Sequence, residues 1–322
     1  MNLPLASIQF GWVIFWAFRR EVGNIFNNLS IEWHVFRNTQ MQAPFGAKSQ
    51  LPANHADRST PQMGVMNIRN VRGVIASAHA TESVVRVRRI DLRRGYFGAA
   101  LLAAVIVFIG FAPSYYLKGF ADSRPLSPLL HVHGAVMTAW FALFIVQTWL
   151  VAARRVDWHR HLGIVGAVLA VLVVVTGVAV AVEGARLGHA PPGRMEPLKF
   201  LVVPLSTAFM FGVLIGAALV LRHRREMHRR LMLLATLAIL TPAIARLLLL
   251  AGPSFAGVPA IVFAIALTDL VIAAFVVSDV TRTRRLHPAF AWGCTFIVAA
   301  QVLRLPFAAT SQWLAFAEWL TR

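Results

Sequence analysis

Residues 200–221 read FLVVPLSTAFMFGVLIGAALVL, an apolar segment without a single charged residue. Because a helix rises about 1.5 Å per residue, roughly 20 such residues cross the hydrocarbon core of a bilayer, which is about 30 Å thick. Six other apolar runs with at most two charged residues each lie at about 96–117, 127–152, 161–183, 230–251, 257–280 and 288–305. We therefore predict an all-α fold, a polytopic transmembrane helical bundle of about seven spans.

The composition agrees with a membrane protein. Of 322 residues, 58% are hydrophobic and 14% charged, whereas soluble domains contain about 45–50% apolar and about 25% charged residues. The formal charge of +18 could suggest nucleic acid, but the arginines cluster between apolar runs, as in membrane topologies. We therefore expect a lipid bilayer as partner and no nucleic acid. The single cysteine, Cys294, excludes an internal disulfide and a cysteine-rich metal site.

Basic residues are unevenly divided between the connections. The connections after the second, fourth and sixth runs contain eleven, namely Arg154, Arg155, Arg160, Arg222, Arg224, Arg225, Arg229, Arg230, Arg282, Arg284 and Arg285. The opposite connections contain five, Lys118, Arg124, Arg186, Arg194 and Lys199. Arg86, Arg88, Arg89, Arg93 and Arg94 precede the first run. Since basic connections stay in the cytoplasm, the pattern predicts cytoplasmic arginine-rich loops.

Residues 1–94 differ from the rest of the chain. They are mixed in polarity and show no sustained periodicity. The apolar stretch Ile8 to Phe18 is too short to span a bilayer. We predict a poorly ordered or interfacial extension at 1–94, or a gene-model artefact with a later start at Met63 or Met66, and a seven-helix domain at 95–322.

The membrane part contains an internal repeat. At an offset of 69 residues, without gaps, Asp157 aligns with Glu226 and the pair His159-Arg160 with His228-Arg229. A looser third copy ends at His287-Pro288. The core therefore reads as one helix followed by three helical hairpins, with Asp157 expected to cap the third helix and Pro288 in a first turn.

The repeat places three histidines, His159, His228 and His287, at equal depth. In one interpretation they are only interfacial residues that contact lipid. In the other they bind a ligand. The surrounding arginines disfavour a bare divalent metal, whereas haem fits, because its iron takes imidazole and its propionates take arginine. Haem b is thus a candidate cofactor on grounds of chemical compatibility.

A second polar layer lies near the other surface. Counted along the helices, His131, His133, Arg246 and Arg304 fall in the outer third, and Asp269 falls slightly deeper. Charged groups inside spans usually face the bundle interior and pair, so we expect Asp269 to pair with one of the two arginines. Trp140, Gln147 and Glu183 are expected to border the layer.

Two interpretations of this layer remain open. It is either one inter-helix salt bridge with solvated histidines, or a pocket in which arginine holds an anionic or quinone-like molecule and histidine relays a proton. His131 and His133 are about 200° apart on a helix and cannot both face one ligand. We favour His133, because Gly134 beside it permits close helix approach.

These features resemble a family of bacterial multi-pass membrane proteins that has no established reaction. The resemblance covers about 96–310 and rests on the segments His131-Val132-His133-Gly134, His159-Arg160, His228-Arg229-Arg230-Leu231 and Ala245-Arg246, with Asp279 and His287-Pro288. It implies a bacterial inner-membrane protein. The two histidine tiers are also faintly similar to those of b-561-type cytochromes, although the outer tier here draws its histidines from one helix only.

Three functions follow as hypotheses. The first is a membrane redox protein that binds haem or quinone; the others are a small-solute carrier or channel, and an assembly or scaffold protein without chemistry. The sequence contains no glycine-rich phosphate loop, no His-Glu-x-x-His and no nucleophile-elbow serine. We therefore assign no catalytic residue, and the oligomeric state stays open.

Overall fold

The computed structural model describes residues 95–120, 125–190, 196–252, 254–255 and 258–322, so the predicted extension at 1–94 lies outside the described residues. Within them the chain forms long helices, a short terminal helix and a two-stranded turn. The helices are α1 Gly95–Tyr116, α2 Pro128–Ala152, α3 Val156–Arg186, α4 Pro197–Val220, α5 Arg225–Leu250, α6 Ala260–Thr283, α7 Pro288–Ala308 and α8 Ser311–Leu320. The strands are β1 Ser254–Phe255 and β2 Val258–Pro259, which pair antiparallel.

The helices α1 to α7 are each long and apolar enough to cross a bilayer. This confirms the predicted all-α class and the seven spans, and the protein is an integral membrane protein. Large apolar side chains remain exposed along the outside of the bundle, for example Ile164 and Val168 on α3 and Leu270 on α6. In a bilayer these surfaces contact lipid.

Local sequence explains where several helices begin. The Ser127 hydroxyl accepts a hydrogen bond from the Leu130 amide at 3.3 Å, and Pro128 occupies the first turn of α2. Helices α3 and α5 start about one turn before their apolar runs, because Asp157 and Glu226 lie inside their first turns. The prediction that Asp157 itself caps α3 is therefore wrong, since Arg155 occupies that position without a side-chain cap.

Helix α5 is the most buried of the seven. Helix α2 packs along α3, α3 packs on α4, and α4 packs along α5. Helices α6 and α7 follow each other in the chain, yet each packs more extensively on α5 than on the other. Helix α1 approaches α5 very closely, since a methyl group on Gly110 would collide with the backbone of Ala243.

Two of the membrane helices are interrupted. Helix α4 consists of Pro197–Phe200 and Val202–Val220, with a turn at Leu201. Helix α5 consists of Arg225–Ala238 and Thr241–Ala251, separated by Ile239 and Leu240. The second interruption lies well inside the membrane, about 22 Å from the start of α5.

The short helix α8 closes one end of the bundle. Its Trp313 is buried and donates its indole N–H to the Leu198 carbonyl at 3.0 Å. The Thr321 carbonyl, just beyond α8, accepts from Arg186 Nε at 3.1 Å. These contacts tie the C-terminus to the end of α3 and the beginning of α4, at the end opposite the arginine-rich turns.

Candidate functional sites at two depths

The repeated histidines of α3 and α5 meet at the arginine-rich end. His159 and His228 are each the fourth residue of their helix. Their ring centroids lie 6.3 Å apart with an interplanar angle of 77°. The structure therefore brings together two of the three residues that the repeat singled out, one from each of two helices.

The ring of His228 is fixed by the backbone. Its Nδ1 lies 2.8 Å from the Ala218 carbonyl oxygen, near the end of α4. A carbonyl can only accept, so Nδ1 carries the proton and the lone pair of the neutral ring is on Nε2. Histidines that bind a metal are usually oriented by the same type of contact.

Buried polar atoms without partners concentrate at this end. Seven such side-chain atoms occur in the described parts of the chain, and four of them are Tyr96 Oη, Gln147 Oε1, His159 Nδ1 and Arg229 Nε. Arg229 lies over the ring of Tyr96, with Cζ 5.3 Å from the centroid, and pairs with Glu226 through Nη2, while His159 lies within reach of a backbone hydrogen bond to Gln147. Since buried polar groups are normally satisfied, Tyr96 Oη and Arg229 Nε are candidate contacts for a bound molecule.

A buried charge network adjoins the histidine pair. Arg230, with 1% of its side chain exposed, donates from Nη2 to both oxygens of Asp279 at 2.9 Å and from Nε at 3.1 Å. Its Nη1 donates to Glu226 at 2.6 Å, and its guanidinium lies over Phe290. The network joins α5 to the end of α6 and the beginning of α7.

His287 interacts electrostatically with this network, and among the described residues it makes no ring contact with His159 or His228. Its Nδ1 accepts the Ala289 amide at 3.2 Å and so caps α7. Partial burial lowers the pKa of His287, and the neighbouring Arg230 lowers this pKa further. The neutral ring that capping requires is thereby favoured.

The predicted outer layer separates into two groups. In the first, His133 Nδ1 lies 3.0 Å from Thr176 Oγ1, whose own proton goes to the Leu172 carbonyl. His133 therefore donates, which leaves the lone pair of its neutral ring on Nε2. Arg246 interacts electrostatically with His133 and stacks on Phe111 at 4.3 Å.

His131 does not share this environment. It is exposed, and its carbonyl accepts from the Tyr115 hydroxyl at 3.1 Å. The Tyr115 ring occupies the space that a side chain at position 134 would fill, so Gly134 does permit a close approach, here by the end of α1.

The second outer group contains Asp269, Gln301 and Arg304. Asp269 accepts from Gln301 Nε2 at 3.0 Å. Arg304 interacts electrostatically with Asp269. Among the described residues, however, neither Arg304 nor Arg246 forms the direct ion pair that we expected with Asp269. The carboxylate is held by an amide instead.

The three residues expected to border the outer layer lie at different depths. Gln147 is at the arginine-rich end beside His159. Trp140 is buried in mid-bundle, edge-on to Phe211 at 5.0 Å. Only Glu183 lies at the outer end, where it accepts from the Ser127 hydroxyl at 2.9 Å.

Sequence reasoning missed the Arg230–Asp279 pair and Tyr96 as parts of the inner site. Arg230 was counted only as a loop residue, although it is the sixth residue of α5, and Asp279 lies four residues before the end of α6. Counted along their helices, Arg230 and Asp279 lie at a similar depth from one membrane surface, and this was the signal that could have indicated that they pair. No protein-family model, curated protein or solved structure matches this chain.

Proposed function

We propose that this integral membrane protein is a redox protein that binds a b-type haem through His159 and His228. The observation that carries the proposal is the pair of rings 6.3 Å apart, supplied by two different helices. It is supported by the buried polar atoms without partners on His159 itself and on Tyr96, Gln147 and Arg229 at the same end of the bundle.

The spacing of the rings would allow both imidazoles to hold one metal ion. A metal–imidazole nitrogen bond is about 2.0 Å long, and the ring centre lies about 1 Å further, so two imidazoles that bound one iron would have ring centroids up to about 6 Å apart. The angle of 77° between the rings is acceptable, because each ligand plane can rotate about its bond to the metal. Fixation of His228 Nδ1 by the Ala218 carbonyl supports Nε2 of this residue as the ligand atom.

Neighbouring donors suit the acidic side groups of haem. Arg229 Nε and the Tyr96 hydroxyl are buried hydrogen-bond donors without acceptors. Arg229 already pairs with Glu226 through Nη2, and its Nε together with the Tyr96 hydroxyl would hold a propionate, since a guanidinium has five N–H donors. A bound haem would supply one-electron chemistry, while the helices around the pair would exclude water from it.

Orientation and location are part of the same proposal. The eleven basic residues of the α2–α3, α4–α5 and α6–α7 connections against five in the opposite ones favour a cytoplasmic arginine-rich end. The redox site then lies close to the cytoplasmic surface. The family resemblance favours the inner membrane of a bacterium.

The test is an absorption spectrum of the detergent-purified protein, first oxidised and then reduced with dithionite. We expect a Soret band and, after reduction, a sharp α-band. His159→Ala and His228→Ala should lose the pigment without losing membrane insertion. His161→Ala is the matched control, because His161 is an exposed histidine of the same helix that bonds only the Asp157 carbonyl.

Two results would overturn the haem assignment. One is a colourless protein from cells that are supplied with haem, and the other is a pigment that survives both alanine substitutions. Organic extraction of a colourless preparation would then show whether a quinone occupies the site instead, since carbonyl oxygens can also accept from Tyr96 and Arg229.

A further inference from the structure

Arg304 is a buried cation inside a membrane helix. Its relative exposure is 7%, and its Nε is buried without a hydrogen-bond partner. It lies in α7, about 24 Å from the arginine-rich end. An uncompensated charge is costly inside a membrane, where such residues commonly mark ligand or ion pathways. The buried Nε of Arg304 therefore has no acceptor among the described residues.

Asp269 of α6 lies near this cation but does not neutralise it by contact. The two side chains interact electrostatically, and Asp269 is bonded to Gln301, one turn before Arg304 on α7. Helices α6 and α7 have few backbone contacts with each other, since α6 packs on α5 and α7 packs on both α4 and α5. Asp269 and Arg304 form no direct ion pair among the described residues, so a molecule with one anionic and one cationic group would pair with each of them.

The interruption of α5 lies at the same depth. Thr241, the first residue after it, donates to Thr268 Oγ1 at 3.1 Å, and Thr268 is the neighbour of Asp269. By residue count, Thr241, Asp269 and Arg304 all lie about 21–24 Å from the arginine-rich end. Interrupted helices beside buried polar groups are typical of solute sites in membrane transporters.

We propose that Asp269, Gln301 and Arg304 form a binding site for a small zwitterionic solute with a carboxylate and an ammonium group. Arg304 binds the carboxylate, for which guanidinium geometry is well suited. Asp269 accepts from the ammonium, and Gln301 positions Asp269. A simple anion is disfavoured by Asp269 and a simple cation by Arg304. The site is separate from the histidine pair and does not depend on haem.

Thermal unfolding of the purified full-length chain tests the proposal with glycine as the probe. Acetate and methylammonium, which carry one charged group each, serve as half-probes. At concentrations well above the dissociation constant we expect glycine to raise the unfolding temperature by about 3–5 °C, and each half-probe to have much less effect. Arg304→Gln and Asp269→Asn should abolish the glycine effect.

Matched controls are available at the surface. Arg285→Gln and Glu318→Gln remove the same charges from exposed positions and should keep the full shift. If Arg304→Gln does not fold, Arg304→Lys is the second variant, because it retains the charge but loses the planar guanidinium group. It should reduce the rise in unfolding temperature that glycine causes. The proposal is wrong if glycine stabilises the Arg304 or Asp269 variants as much as the original protein, if acetate alone matches glycine, or if no probe stabilises the protein.

Discussion

At the scale of single residues, His287 couples protonation to the start of a helix. Its Nδ1 must be unprotonated to accept the Ala289 amide. Burial and the positive charge of Arg230 lower its pKa, while Glu226 and Asp279 act in the opposite direction and Arg229 adds to the lowering. A histidine whose pKa is lowered by folding stabilises the protein above its unfolded pKa, near 6.5, and this contribution is lost as the pH falls through the folded value.

We therefore expect the unfolding temperature of the purified protein to rise as the pH is raised through the lowered pKa of His287 to about 6.5 and above. His287→Asn should flatten this dependence, because asparagine also caps helices but does not titrate in this range. His223→Asn, which changes an exposed histidine of the α4–α5 turn, should leave it unchanged. Thermal melts of the three proteins across this pH range provide the measurement. A steep profile retained in His287→Asn would assign the dependence to other groups.

The inner site could be predicted in part. The repeat indicated His159 and His228 from their order in the chain, because corresponding positions in repeated hairpins lie at one depth. It could not show that His287 caps α7 instead of joining them, since that depends on the rotation of each helix about its axis. The unpartnered atoms of Tyr96 and Gln147 likewise result from packing between helices that are distant in sequence.

At the scale of helices, the close contact between α1 and α5 depends on Gly110, which has no side chain. A methyl group on Gly110 would meet the Ala243 carbonyl carbon at 2.9 Å and its Cα at 3.0 Å. Backbone atoms cannot move aside as a flexible side chain can. Small residues permit this kind of close packing between membrane helices, where apolar burial gives little driving force.

Gly110→Ala should accordingly destabilise the protein by about 1–3 kcal/mol, the usual cost of overpacking. The matched change is Gly98→Ala in the same helix, where an added methyl group meets nothing within 4 Å. This control should be neutral or slightly stabilising, because alanine favours helix over glycine. Comparing the two unfolding temperatures measures the effect, and equal values would mean that α1 can shift away from α5 at no cost.

The helices themselves were more predictable than their neighbours. All seven apolar runs became membrane helices, with ends within about one or two turns of the expected positions. The break in α5 was not predicted, although Thr241-Pro242 interrupts its hydrogen bonding. The hairpin pattern also did not show that α6 and α7 would each pack more extensively on α5 than on each other. A short connection keeps two helices close in sequence, but it does not determine which helix faces are complementary.

At the scale of the whole molecule, the basic connections lie at one end of the bundle, and the two proposed sites lie toward different ends. His159 meets His228 and Arg230 meets Asp279 at one end, so the three arginine-rich turns lie together. The Asp269–Arg304 site lies toward the other end. If the basic end faces the cytoplasm and the histidine pair binds haem as proposed, electrons would enter or leave the pair on that side, while the second proposed site would lie nearer the outer surface.

Labelling of single cysteines tests this orientation. After Cys294→Ser, Arg222→Cys places a thiol in the exposed α4–α5 turn and His189→Cys places one after α3, at the opposite end. Because basic turns resist translocation, a membrane-impermeant maleimide should label the position-189 variant in spheroplasts and the position-222 variant only in inverted vesicles. Denatured samples of both variants should label equally, which controls for thiol reactivity. The reverse pattern would place the histidine pair at the outer surface, and a haem bound there as proposed would then exchange electrons with partners outside the cytoplasm.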